Sequence, residues 1–273
     1  MKRSARWVGG GLLLGLLALV SAALWNRRTP PMPNPNGYDR LLALAATVPV
    51  FELDRVKTNQ ARLAELVQSQ PRLLEDVLAA NQLPSLVPVQ YSREDLKGRM
   101  NAAGDLRRLE KAILARAIFA ESEQRPADGV TARLAGIELG QKGSRGGLMV
   151  DFMVGSAIQM YGLAGFSNQV RNLDFETCQR ALNSLRALRE AQEPLSQFEK
   201  RERRWMLWSS GWWRDLDTTR ELIASWKRPG ESVSLFVTPA GRHRDLQKAY
   251  RETEAALEAR LSAGESEEPS GKR

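Results

Sequence analysis

The apolar positions of the chain fall into three regimes: one uninterrupted run near the start, a series of helical stripes, and a polar end. Residues 7–25 (WVGGGLLLGLLALVSAALW) carry no charge. A helix of about 19 such residues, at ~1.5 Å rise per residue, approaches the ~30 Å of a bilayer's hydrocarbon core. Lys2, Arg3 and Arg6 precede the run and Arg27 and Arg28 follow it, while Trp7 and Trp25 stand where indoles favour the two membrane interfaces. A transmembrane anchor is therefore expected over 1–28 with its basic flanks. A cleaved signal peptide has the same basic start and apolar middle, and Val20-Ser21-Ala22 would serve as its cleavage site. The length of the run and the Arg27-Arg28 flank favour retention. Placing the short basic lead in the cytoplasm gives a single-pass protein of the inner membrane with its body outside. The alternative is a secreted or periplasmic body after cleavage.

Residues 29–37 (TPPMPNPNG) predict a stiff, extended spacer, because their prolines disfavour helix. Helical spacing then governs 38–261. Asn36 can cap a helix with Asp39 at its third position, and Leu41, Leu42, Ala45 and Ala46 fall on one face. A second pattern runs through Val56, Leu63, Leu66 and Val67. Pro71 opens a third, with Leu73, Leu74, Val77 and Leu78. Ser92-Arg93-Glu94-Asp95 resembles a capping box ahead of the longest stripe, Leu96, Met100, Leu106, Leu109, Ile113 and Ile118. A turn at 125–129 and resumed spacing at Val130, Leu134 and Ile137 complete an αα-hairpin.

The glycines at 140, 143, 146 and 147 read as a chain break. Residues 148–166 are nearly all apolar, yet Asp151 and Gln159 make them expensive at bilayer depth. A central buried helix is expected instead, with Gly155, Gly162 and Gly165 allowing close approach of its neighbours. Asp174 caps a helix bearing Cys178, Leu182, Leu185 and Leu188. Pro194 opens one through Phe198, Trp205 and Trp208. Another spans 218–226, a lone strand-like run lies at 232–238, and a last amphipathic helix covers about 245–261. The Ser-, Glu- and Gly-rich residues 262–273 predict disorder. The whole is an all-α array of antiparallel helix pairs, TPR-like at most.

An apolar N-terminal segment, the hexamer Asn34-Pro35-Asn36-Gly37-Tyr38-Asp39, and Leu-rich helical pairs in that order resemble a group of uncharacterised membrane-anchored helical proteins of bacteria. The resemblance covers most of the chain. It implies an envelope location and supplies no activity or catalytic residue.

Composition narrows the chemistry. One Cys and one His exclude an intramolecular disulfide and the common structural zinc sites, and no cofactor motif is present. The net charge of +8 is mostly anchor flank, leaving no concentrated basic patch for nucleic acid. Candidate acids are few. Glu121 and Glu123 lie two apart on a helix, so they point in different directions and read as a solvated face. Asp151 reads as a buried carboxylate satisfied by an arginine such as Arg145 or by helix-end amides, with a tuned acid or base as the alternative. His243 reads as a surface loop residue and Cys178 as a core hydrophobe.

The unusual feature is aromatic: five of the seven tryptophans lie between 205 and 226, after a basic run. Trp205, Trp208 and Trp212 share one helix face, with Trp213 adjacent. Such a stripe is ordinarily core. Together with Arg201, Arg203 and Arg204 it also makes a candidate surface for a protein partner, or for the acyl boundary of a membrane. These features describe a membrane-anchored scaffold or adaptor binding a partner protein in the cell envelope. The alternatives are an envelope enzyme acting on a polymer or peptide through Asp151 or Glu121, and a peripheral lipid-binding module at Trp205 to Trp213.

Overall fold

A computed structural model describes residues 31–90, 92, 94–209 and 238–267, and these are helical without a strand. The anchor at 7–25, the helix at 218–226, all but Thr238 of the strand-like run, and Trp212 and Trp213 lie outside the described residues. Among the described residues no helix is long and apolar enough to cross a membrane, and this covers 148–166.

Helix α1 (Gly37–Thr47) starts as its sequence dictates. Asn36 caps it, its Oδ1 accepting the Tyr38 N–H at 3.3 Å, while its amide donates to Asp39 at 3.1 Å and to the Leu86 carbonyl at 3.0 Å. The buried face is Tyr38, Leu41, Leu44 and Ala45; Ala46 turns outward. The single pattern predicted from Val56 to Val67 is two elements, α2 (Leu53–Val56) and α3 (Gln60–Gln68), because Asn59 intervenes and caps α3 through the Arg62 N–H. Helix α4 is Leu73–Asn81.

Helix α5 (Glu94–Ser122) follows, and Ser92 Oγ accepts the Asp95 N–H ahead of it. Helix α6 (Pro126–Ser144) begins at Pro126, so Gly129 lies within its first turn. Glu121 meets Arg133 near the turn and Leu106 meets Gly143 at the far end, so α5 and α6 run antiparallel. Helix α7 (Met149–Ala164) folds back along α6 in turn.

The expected break at Gly140 is a correction. Gly140 and Gly143 are helical, and a methyl on Gly140 would lie 2.6 Å from the Gly155 carbonyl oxygen. These glycines let two backbones touch, and the tight crossing outweighs their low helix propensity. The chain turns only at Gly146, where φ is +76°. Gly155 and Gly162 play the close-approach role expected of them, against Ser144 and Ile137.

Beyond α7 come α8 (Phe166–Gln169), a 3-10 turn (Val170–Asn172), α9 (Phe175–Glu190), α10 (Leu195–Ser209) and α11 (Pro239–Glu267). Thr238 caps α11, its Oγ1 accepting the Gly241 N–H, and Pro239 fits the first helical position. The helix runs on through Glu267, six residues into the stretch predicted to be disordered. Extending an existing helix fixes one residue per new hydrogen bond, which offsets the low helix propensity of the Gly and Ser there. Helix α11 runs antiparallel to α9, with Arg186 on Glu258 and Arg189 on Glu254, but parallel to α7, with His243 against Phe152 and Tyr250 against Gln159.

Two cores result. One gathers α1, α4, α5 and the Ala132, Ala135 and Leu139 side of α6; the other gathers Val130 and Ile137 of α6 with Leu163, Phe166, Cys178, Leu185, Tyr250 and Leu257. Helix α6 therefore shares with α7 the central position predicted for 148–166 alone.

Candidate functional site

Asp151, expected to be a buried carboxylate satisfied by an arginine or by helix-end amides, is also a candidate acid of the enzyme alternative. It lies in the first turn of α7, 6% exposed, and its Oδ2 accepts the Leu148 N–H at 2.7 Å. Its partner is Arg99, 3% exposed, at 2.6 Å. Arg145, the nearer cation in sequence, is exposed. The Arg99 guanidinium also bonds Asp95 at 2.7 Å and donates to the Pro88 carbonyl at 2.6 Å. One cation between two carboxylates ties the start of α5, the start of α7 and the segment before α5 together. Burial holds the Asp151 carboxyl above the usual carboxylate range, against the opposing pull of Arg99 and the Leu148 amide. Tyr38, buried nearby, has its phenol pushed up by burial and by the Asp151 charge.

Glu121 is likewise paired, not solvated. Arg133 grips both its oxygens, at 2.6 and 3.1 Å, and the guanidinium lies over Gly165, where a methyl would come within 2.2 Å of it. Glu123 points away, as expected, and accepts from Gln60 at 2.9 Å. The two candidate acids are on separate ion pairs and do not converge.

The Trp and Arg surface divides. Arg201 is structural: it donates to the Gly147 carbonyl at 2.7 Å, pairs with Glu193 at 2.5 Å and lies over the Phe198 ring. Glu193 also accepts the Gly146 N–H, and Glu202 accepts the Met149 N–H at the start of α7. The first half of α10 thus clasps the α6–α7 turn. Trp205 is half-buried and donates its Nε1–H to the Gln90 carbonyl at 3.0 Å. Arg203 is exposed and Arg204 half-buried. Trp208 lies in α10.

His243 is a correction. It sits in the first turns of α11, half-buried, its ring 6.1 Å from that of Phe152, which packs on Phe198. A histidine between two arginines looked like surface because nothing local hinted at the aromatic pair it meets. Cys178 is fully buried in the second core, as its stripe predicted.

Two features escaped the sequence reading. A groove of about 410 Å³ between α4, α6 and α9 is walled by Leu78, Val130, Leu134 and Leu188, with Glu138 and Arg180 on its margin. Burial pushes the Glu138 carboxyl up. The second feature is Glu110 on α5, 5% exposed, lining a smaller cavity of about 190 Å³ between α2, α5 and α7. Position 110 falls within the apolar stripe, four residues after Leu106 and three before Ile113, and that interruption was the available signal.

No group of three or more His, Cys, Asp or Glu side chains among the described residues could hold a metal ion. Comparison with protein-family models, with curated protein sequences and with solved structures returns no match.

Proposed function

We propose that the chain is a helical scaffold or adaptor, anchored by residues 7–25 in the cell-envelope membrane, whose helical pairs bind a partner protein. The observation that supports this best is what has become of the candidate acids. Asp151 and Glu121 each spend their charge on a buried arginine, and a carboxylate so held positions helices instead of moving protons. An enzyme acting through Asp151 or Glu121 would be favoured by an open cleft in which such carboxylates converge, and these two lie on separate ion pairs. The binding surface in this reading is the part of α10 around exposed Arg203 and half-buried Arg204 and Trp205, with Trp208 next along the sequence, residue types that dominate protein interfaces.

Site-specific photocrosslinking tests it. A photoreactive amino acid replaces Arg203 in the full chain in its native membrane, and replaces the exposed Thr58, between α2 and α3, as a control. The expected result is one discrete protein adduct from position 203 and none from position 58. Lipid adducts alone at 203 would replace the reading with a peripheral membrane-binding helix, and no adduct at 203 would overturn both. A phosphatase fused at Arg273, active only outside the cytoplasm, tests the topology; an inactive, stable fusion would refute a body outside the cytoplasm.

A further inference from the structure

Glu110 stands apart from the other buried acids. Asp151 and Glu254 each pair with an arginine, whereas the Glu110 carboxyl makes no hydrogen bond or ion pair in the described residues. Arg107 and Lys111 flank it on α5 and share its cavity, yet neither reaches it. Arg107 is exposed and Lys111 half-buried. Buried polar groups are almost always satisfied, so an acceptor left open towards a cavity takes its donor from what enters the cavity, water or a ligand.

The remaining walls say what kind. Glu52 and Asp54 from the α2 side bring two more carboxylates to the cavity, although each already has a cation, Arg55 at 2.7 Å and Lys57 at 2.6 Å. Leu53 and Leu114 are apolar. Tyr161, 51% exposed on a helix that is otherwise largely buried, adds an aromatic ring. A buried carboxylate without a partner and an aromatic ring among the lining residues, with room for a few heavy atoms, make a receptacle for an organic cation.

The geometry points to a binding site at Glu110 for the ammonium or guanidinium end of a small amine, its N–H groups bonding the free carboxyl and its charge lying against Tyr161. The site is independent of the scaffold reading and shares no residue with the α10 face. Burial pushes the Glu110 carboxyl up to about 7 despite Arg107 and Lys111, so the empty site is about half protonated at neutral pH. A cation favours the ionised form, and its binding therefore expels a proton. An anion would be drawn by Arg107 and Lys111 and would do the reverse, taking a proton up.

The test uses the full chain in nonionic detergent at pH 7, with n-butylammonium as probe and n-butyrate as its opposite. Ligand-observed NMR measures binding, and a weakly buffered indicator measures protons. The expected result is saturable butylammonium binding with release of about half a proton, because a group near its pKa is half titrated. Glu110→Gln, which keeps shape and removes charge, should weaken binding at least tenfold and abolish proton release. Tyr161→Ala, at an exposed position, should weaken binding about two- to fivefold with the proton count kept. Butylammonium binding unchanged in Glu110→Gln would overturn the site. So would no saturable binding, or butyrate binding with proton uptake.

Discussion

Replacing Arg99 by Met keeps most of the buried stem and removes the charge that Asp95 and Asp151 share. Asp95, at the more exposed end, can recover water; Asp151, 6% exposed, is left with the Leu148 N–H alone. Breaking a buried pair from one side costs about 3–5 kcal/mol, and the lost bond to the Pro88 carbonyl belongs to the same sum, so about 4 kcal/mol is expected at pH 7.5. The pH dependence makes the argument sharp. Burial already raises the Asp151 carboxyl with Arg99 present, and the variant raises it further. A carboxyl raised in the folded state contributes most below its unfolded pKa, and stability is lost as pH rises through the folded value. The penalty should therefore shrink to about 2 kcal/mol near pH 5. Arg99→Met with Asp151→Asn should cost only about 1–2 kcal/mol at both pH values, since no charge is stranded and the Leu148 amide keeps its acceptor. Urea unfolding of the full chain in detergent, followed by circular dichroism, measures all three. An Arg99→Met penalty below about 1 kcal/mol, or one equal at pH 5 and 7.5, would refute the reasoning.

Glycine substitutions should split by surroundings. Gly98→Ala and Gly104→Ala meet nothing within 4 Å and should each stabilise by about 0.5–1 kcal/mol in urea titrations, whereas Gly140→Ala, facing a backbone oxygen at 2.6 Å, should destabilise by at least 2 kcal/mol. Cys178, fully buried with its thiol pushed up by burial, should not react with a disulfide reagent at pH 8 until denaturant opens the second core. Glu110→Gln should stabilise the chain above pH 7 and be near neutral below pH 5, because the raised Glu110 carboxyl weakens the fold only as it ionises. Parallel melting curves at pH 5 and 8 check this.

What the sequence made legible is whatever one helix decides by itself. The Asn36 and Asp174 caps, the Leu106, Leu109 and Ile113 part of the α5 stripe and the Cys178 stripe are local agreements between capping chemistry and periodicity, and the fold keeps them, whereas Met100 of the same stripe is exposed. What it hid is set between helices. Gly140 reads as a break until Gly155 is seen against it, and Asp151 is paired by an arginine 52 residues away instead of one six residues away. Arg201 reads as surface because its partner loop lies far back along the chain, and His243 because Phe152 does. The candidate chemistry belonged almost wholly to this second kind of information.

The parallel seating of α11 on α7 also orders events in time. Leu163 and Phe166 share their core with Tyr250 and Leu257, and Gln159 takes its hydrogen bond from the Tyr250 hydroxyl. About 100 further residues must be made after α7 before Leu261 appears, which at ~5–20 residues per second is about 5 to 20 s of synthesis. Over that interval the first core has every helix it needs, while the second lacks its last wall. A nascent chain therefore presents the apolar flank of α7 before α11 can cover it, and that flank is where a holding chaperone would be expected to engage.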